Sequence, residues 1–200
     1  MTRLWPGWLL CLITAGVLAY MALIEAPAIS ALLGGLQMPD GVPLGYDDAG
    51  ARALHAAFVV DFAQAQEQGR QSASAAYLAL HAHTDLVFPP LLTVSLGFSA
   101  FAALYARQKN IETPVQVKVG LGLVLALAFA YLGCDFVENA VADAMFGPTA
   151  LKVAFNEHLV FVLRVLTFCK FASLAVAFGL ITWLWISCWK SRRQLPVAGD

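Results

Sequence analysis

The chain has 200 residues, of which 60% are hydrophobic and 12% charged, and its mean hydropathy is +0.72. A soluble domain carries about 25% charged residues, so a soluble globular protein is excluded. The formal net charge of −1, from 12 basic and 13 acidic residues, says nothing by itself about nucleic acid, and nothing else in the sequence supports nucleic-acid binding.

Four stretches carry no charge: Leu4 to Ile24, Leu86 to Ala106, Val119 to Cys134 and Phe171 to Trp189. Each approaches the roughly 20 residues that a helix needs to cross about 30 Å of hydrocarbon. The third is short alone, but Val115, Val117, Phe136 and Val137 lengthen it. Barrel strands would alternate polar and apolar residues, and these runs do not. The expected fold is an all-α membrane protein, a bundle of four transmembrane helices over about 4–24, 86–106, 115–138 and 165–189. Residues 1–200 form one integral membrane domain, with an outer loop region over about 25–84.

Charge placement sets the expected orientation. Arg3 precedes the first span; Arg107, Lys109 and Lys118 lie between the second and third; Lys190, Arg192 and Arg193 follow the fourth. The first loop holds Glu25, Asp40, Asp47, Asp48, Asp61 and Glu67 against Arg52 and Arg70. The positive-inside rule then puts both termini in the cytoplasm and the first loop outside. Trp5, Trp8, Trp183, Trp185 and Trp189 fall at the same inner ends, as an interfacial belt would. A 21-residue apolar core before Ala26-Pro27-Ala28 is too long for a cleaved signal peptide, so the first span is expected to stay.

After the first span, Pro27, Gly34-Gly35 and the passage from Met38 to Gly45 break the helix. Asp47 or Asp48 can cap a helix reaching Gln68-Gly69. Its Leu54, Phe58 and Phe62 repeat every four residues, which predicts an amphipathic helix on the outer face with His55 and Asp61 solvated or interfacial. Ser72 or Ser74 can start the next helix, expected to run on into the second span. There Tyr77, His81 and Asp85 share one face, His83 points elsewhere, and Pro89-Pro90 predicts a kink. Gly147-Pro148 predicts a turn, and a last helix from near Thr149 would carry Asn156, Glu157, His158, Arg164 and Lys170.

The stretch Tyr131-Leu-Gly-Cys-Asp135-Phe-Val-Glu138-Asn139 ends an apolar run with three polar side chains at i, i+3 and i+4, one face of a helix. Ionisable groups in a membrane segment need partners. Counting about 1.5 Å per residue from the inner basic anchors supplies them. Asp85 lies about 33 Å from Arg107, Asp135 and Glu138 about 25 and 30 Å from Lys118, and Lys170 about 30 Å from Lys190. One layer at the outer edge of the hydrocarbon would then hold Asp85, Asp135, Glu138 and Lys170. Asn139 would serve as donor and acceptor, His81 would sit a turn farther out, and Arg164 would be a second counter-ion for Glu157 or Glu138.

Such a layer can glue helices together, or it can be a polar pocket for a proton, a cation or a headgroup. Read as a metal site, His81, Asp85, Asp135 and Glu138 would suit zinc, manganese or iron. The four histidines lie to the outer side, leaving a haem no inner ligand. Cys11, Cys134, Cys169 and Cys188 form no C-x-x-C and read as small apolar residues. No nucleotide-binding or nucleophile motif occurs, so no cofactor is named.

The pair Asp85-Leu-Val-Phe88-Pro89 and Asp135-Phe-Val-Glu138-Asn139, with a lysine early in the last span, resembles a group of small four-span bacterial membrane proteins. The resemblance covers about ten residues of the last three spans and brings no activity with it. The expected location is a bacterial inner membrane. The expected role is an accessory, assembly or small binding subunit with its polar cluster at the outer edge, its partners being the bilayer and a larger membrane complex or further copies of itself. Whether the chain is an enzyme stays open at this point. One alternative is a membrane-embedded enzyme acting on a lipid or small molecule, another an oligomeric transporter of protons or cations.

Overall fold

The computed structural model describes residues 4–43, 46–108 and 115–193. Arg3 and Lys109 of the basic anchors, Leu44 and Gly45 of the first loop and the tail after Arg193 lie outside them. The described residues are all-helical, and four of the helical stretches are long and apolar enough to cross a membrane: Trp5–Leu32, Ala73–Ala106, Lys118–Lys152 and His158–Lys190. In chain order the α-helices are α1 Trp5–Tyr20, α2 Ala26–Leu32, α3 Asp48–Gln68, α4 Ala73–Ala82, α5 Thr84–Gln108, α6 Val115–Phe146 and α7 His158–Arg193.

The first helix does not end before Pro27. A π-helical turn, Met21–Glu25, joins α1 to α2, and the Ala26 N–H reaches back five residues to the Met21 carbonyl. A proline crowds the carbonyl four residues earlier and has no N–H. The wider turn absorbs both effects, so the helix runs on to Leu32. Glu25 therefore sits within the helix, not in the loop after it.

α3 begins where Asp47 accepts from the Gly50 N–H (2.7 Å) and ends at Gly69, whose φ of 62° suits a residue without a Cβ. Its buried stripe is Ala51, Leu54, Phe58, Asp61 and Ala65. Asp61 is neither solvated nor interfacial but buried: it is 3% exposed, one oxygen pairs with Arg70 (2.7 Å), and the other accepts from the Ala73 N–H (2.5 Å) at the start of α4. His55 is half-buried against the Phe155 ring, not fully solvated.

Ser72 caps α4 by accepting from the Ala75 N–H. The expected continuous helix is broken once, at His83 (φ −119°, ψ −81°), and restarts at Thr84. Pro89 and Pro90 lie inside α5, so the interruption comes six residues before them. α6 runs two turns past Asn139 to Phe146, and α7 starts at His158, later than Thr149. Asn156 and Glu157 precede that helix, and the Asn156 side chain accepts from the His158 N–H (3.1 Å).

α5, α6 and α7 pack on one another, while α1 is held chiefly by α5. The α1–α5 seam is polar at mid-length: Thr14 and Ser95 hydroxyls are 2.8 Å apart and buried. Closer to the N-terminus, a Cβ on Gly7 would overlap the Phe98 ring, so only glycine allows this approach. Two apolar cores follow. One, including Leu96, Ala100, Val124, Ala128 and Leu184, lies among α5, α6 and α7. The other, including Leu54, Phe58, Tyr77, Phe146 and Leu163, joins α3 and α4 to the end of α6 and the start of α7. Ser74 ties this cap down by donating to the Phe146 carbonyl (2.5 Å), one of the acceptors left over at a helix end.

Candidate functional site

Between the two cores lies a layer of polar side chains. On each helix the order is the same: the cap core ends at Leu80, begins again at Ala142 and ends at Leu163, while the second core starts at Leu96, ends at Ala128 and starts at Ile181. His81, Asp85, Asp135, Glu138, Asn139, Thr167 and Lys170 occupy the intervals and are all buried. The layer is thus closed under the α3–α4 cap.

Lys170 makes the central contacts. Its ammonium forms an ion pair with Glu138 and lies 3.3 Å from Asp135 Oδ1. The i, i+3 spacing of the two carboxylates puts both on the face of α6 that meets α7. Glu138 has 0% exposure, and its Oε1 lies 2.5 Å from the Thr167 hydroxyl. That hydroxyl is also 2.8 Å from the Leu163 carbonyl, and its one proton can serve either. Asn139, next in sequence, turns toward α5 and donates from Nδ2 to Asp85 Oδ2 (2.6 Å).

At the cap side, His81 Nδ1 lies 2.6 Å from Asp143 Oδ1, and the His81 ring sits 4.2 Å from that of Tyr77. Asp143 is 32% exposed, so the pair bridges the buried layer and the surface. On the other flank, Thr84 donates to Glu25 Oε1 (2.9 Å) and brings the first helix in. One polar chain therefore takes a side chain from each long helix: Glu25, then Thr84 and Asp85, then Asn139, Glu138 and Asp135, then Lys170 and Thr167.

Six of the seven residues expected from the sequence meet in this region: His81, Asp85, Asp135, Glu138, Asn139 and Lys170. Arg164 does not serve as their counter-ion; its Nε donates to the Tyr46 carbonyl (2.7 Å) and anchors the first loop. Glu157 pairs instead with Arg52 (2.8 Å), both half-exposed. Among the described residues no three His, Cys, Asp or Glu side chains are grouped so as to hold a metal ion.

Sequence reasoning missed Glu25, Thr84, Asp143 and Thr167. Asp143 had a signal: it follows Asp135 and Asn139 at eight and four residues on the same face. Thr167 also had one, lying three residues before Lys170. Glu25 and Thr84 had none, because their pairing depends on the π turn and on the restart of the helix.

No family model, no curated protein and no solved structure matches this chain.

Proposed function

We propose that the chain is a four-span protein of a bacterial inner membrane, with cytoplasmic termini, that works without catalysis as an accessory or small binding subunit. Its working part is the polar layer. The observation that carries this reading is the make-up of the layer: between two apolar cores Asp135 and Glu138 share the ammonium of Lys170, with Asp85 hydrogen-bonded to Asn139 beside them. Joining helices does not call for that. The Thr14–Ser95 hydroxyl pair joins α1 to α5 with no charge at all. Buried ionic groups are costly, and replacing them with apolar side chains often stabilises a protein. Carboxylates buried at membrane depth fit a site that receives something.

The orientation rests on the positive-inside pattern, together with the tryptophans. Trp8 and Trp185 approach to 6.1 Å at the end of the bundle away from α3.

The test uses the tagged full chain, extracted from its membrane in mild detergent. Wild type, Asp135→Asn, Lys170→Met and the surface control Glu157→Gln are compared for co-purifying membrane proteins. The reading expects a companion held by wild type and control and lost from the layer variants, at unchanged helical content. A companion held equally by all four, or by none, rejects it.

A further inference from the structure

His55 is a titratable group outside the four long apolar helices, and the polar layer makes no use of it. Its ring packs on Phe155, with the centroids 4.8 Å apart. Its Nε2 atom is buried, and the described residues give it no hydrogen-bond partner. In the neutral ring with its proton on Nδ1, that nitrogen is only an acceptor. Protonation would place a charged N–H there, where the described residues offer no acceptor. Phe155 packs against the cap core and belongs to the connection between α6 and α7, in which residues 154–156 have no regular structure. Two side-chain contacts join this connection to α3: Phe155 on His55, and Glu157 on Arg52 at 2.8 Å.

The charges around the ring do not reverse this. α3 packs against α4, α6 and the 3-10 turn Ala150–Lys152. On α3 itself Arg52 is balanced by Glu157 and Asp61 by Arg70. Asp47, Asp48 and Glu67 are exposed, each about two turns or more away along the helix. Between α4 and α6, His81 is engaged with Asp143, and Tyr77 stacks on His81. Farther along α6, Asp135 and Glu138 are engaged with Lys170. Lys152 and His158 flank the connection and are exposed; Lys152 has the same sign as a protonated ring. Burial is what moves His55, and it moves it below 6.5. We propose that His55 and Phe155 form an acid-released clasp between the cap helix α3 and the α6–α7 connection. A histidine favoured in its neutral form holds the contact above about 6.5 and gives it up as pH falls through the lower folded value. In the orientation proposed above, the clasp lies on the outer side and reads the pH of that compartment. That placement alone rests on the reading above.

The experiment is hydrogen exchange of the full chain in nanodiscs from pH 7.5 to 5.0, corrected for the pH dependence of chemical exchange. Protection of residues 52–58 and 153–157 is expected to fall about fivefold or more, with a midpoint below 6.5. Residues 91–104 of α5 should keep theirs. His55→Phe retains a ring against Phe155 without a titrating nitrogen and should stay protected throughout. His55→Gln should also lose the pH response, and Glu157→Gln should keep it. The wild-type profile tests the clasp even where a variant fails to fold, because the change must be local and must titrate below 6.5. Equal protection across the range overturns the inference, and so does a loss that spreads equally through α5. A response that survives either His55 substitution, or vanishes in Glu157→Gln, assigns the titration to another group and overturns it too. Nanodiscs expose both faces, and no companion protein takes part. A wrong orientation or a missing companion would therefore remove the subunit reading and leave this result unchanged.

Discussion

Lys170 of α7 and Glu138 of α6 form an ion pair in which the carboxylate has no solvent exposure, and the same ammonium reaches Asp135 at 3.3 Å. Removing one partner of a buried pair leaves an uncompensated charge and typically costs about 3–5 kcal/mol. Lys170→Met is therefore expected to lower stability by about that much, more than Glu138→Gln, because it strands two carboxylates. The double variant Lys170→Met/Glu138→Gln should be less unstable than the sum of the two single changes. Unfolding of the four proteins in one detergent gives the cycle, and simple additivity would show that the contact carries no coupling.

At the cap, Asp61 spends one oxygen on Arg70 and the other on the Ala73 N–H. Asp61→Ala removes both and leaves a buried N–H at the start of α4, a loss of about 1–3 kcal/mol. Asp61→Asn keeps an acceptor for Ala73 and should cost less. Limited proteolysis between Gly69 and Ser72 should accelerate in the order wild type, Asn, Ala. Equal rates in all three would mean that Asp61 does not hold the α3–α4 connection.

The cap also has a pH dependence with a definite sign. Burial pushes His55 below its ordinary value of 6.5. The unfolded chain then takes up a proton at a higher pH than the folded one. Its contribution is fully present above about 6.5 and is lost as pH falls toward the lower folded value. The nearby Arg52–Glu157 pair is charge-balanced and does not reverse this. Between pH 7.5 and 5 the wild-type Tm should fall more steeply than that of His55→Gln, and parallel curves would remove His55 as the cause.

The α1–α5 seam offers a neutral comparison. Hydroxyl pairs between membrane helices contribute about 0.6 kcal/mol on average, with about 1.7 at most. Thr14→Val and Ser95→Ala should couple within that range in a double-mutant cycle. A coupling as large as the Lys170–Glu138 one would erase the contrast between the seam and the charged layer.

Much of the layer was legible because a charge inside an apolar run is conspicuous, and because counting residues from a basic anchor gives depth. Asp85, Asp135, Glu138 and Lys170 come from that count. What counting does not give is the direction around the helix. Arg164 precedes Lys170 by six residues, about 240° around α7 at 3.6 residues per turn, so it faces the Tyr46 carbonyl and not the carboxylates. Nor does it always show where helices end. Gly147-Pro148 reads as a boundary and α6 does stop at Phe146, just before it, but Pro27 also reads as one and the π turn carries the first helix past it. Glu25 was lost from view for that reason. That the layer is covered also needed tertiary structure, since the cap core comes from α3 and α4 folding over it.

That cap is joined to the layer through His81 and Asp143, and the helix break at His83 lies directly after the junction. A charge-assisted hydrogen bond contributes about 1.5–3 kcal/mol when buried. With Asp143 partly exposed the expectation falls to about 1 kcal/mol. Asp143→Asn should therefore loosen the cap without unfolding the bundle. Because α4 and α5 share no continuous hydrogen-bond ladder across His83, the loosening should stay in α4. Hydrogen exchange should speed up for amides of residues 73–82 and remain unchanged for residues 91–104 of α5, a pattern of local opening. His81→Gln, which keeps a donor toward Asp143, should show the same pattern more weakly. If exchange instead rises equally through α4 and α5, the break at His83 does not separate the two helices, and the cap and the layer open as one unit.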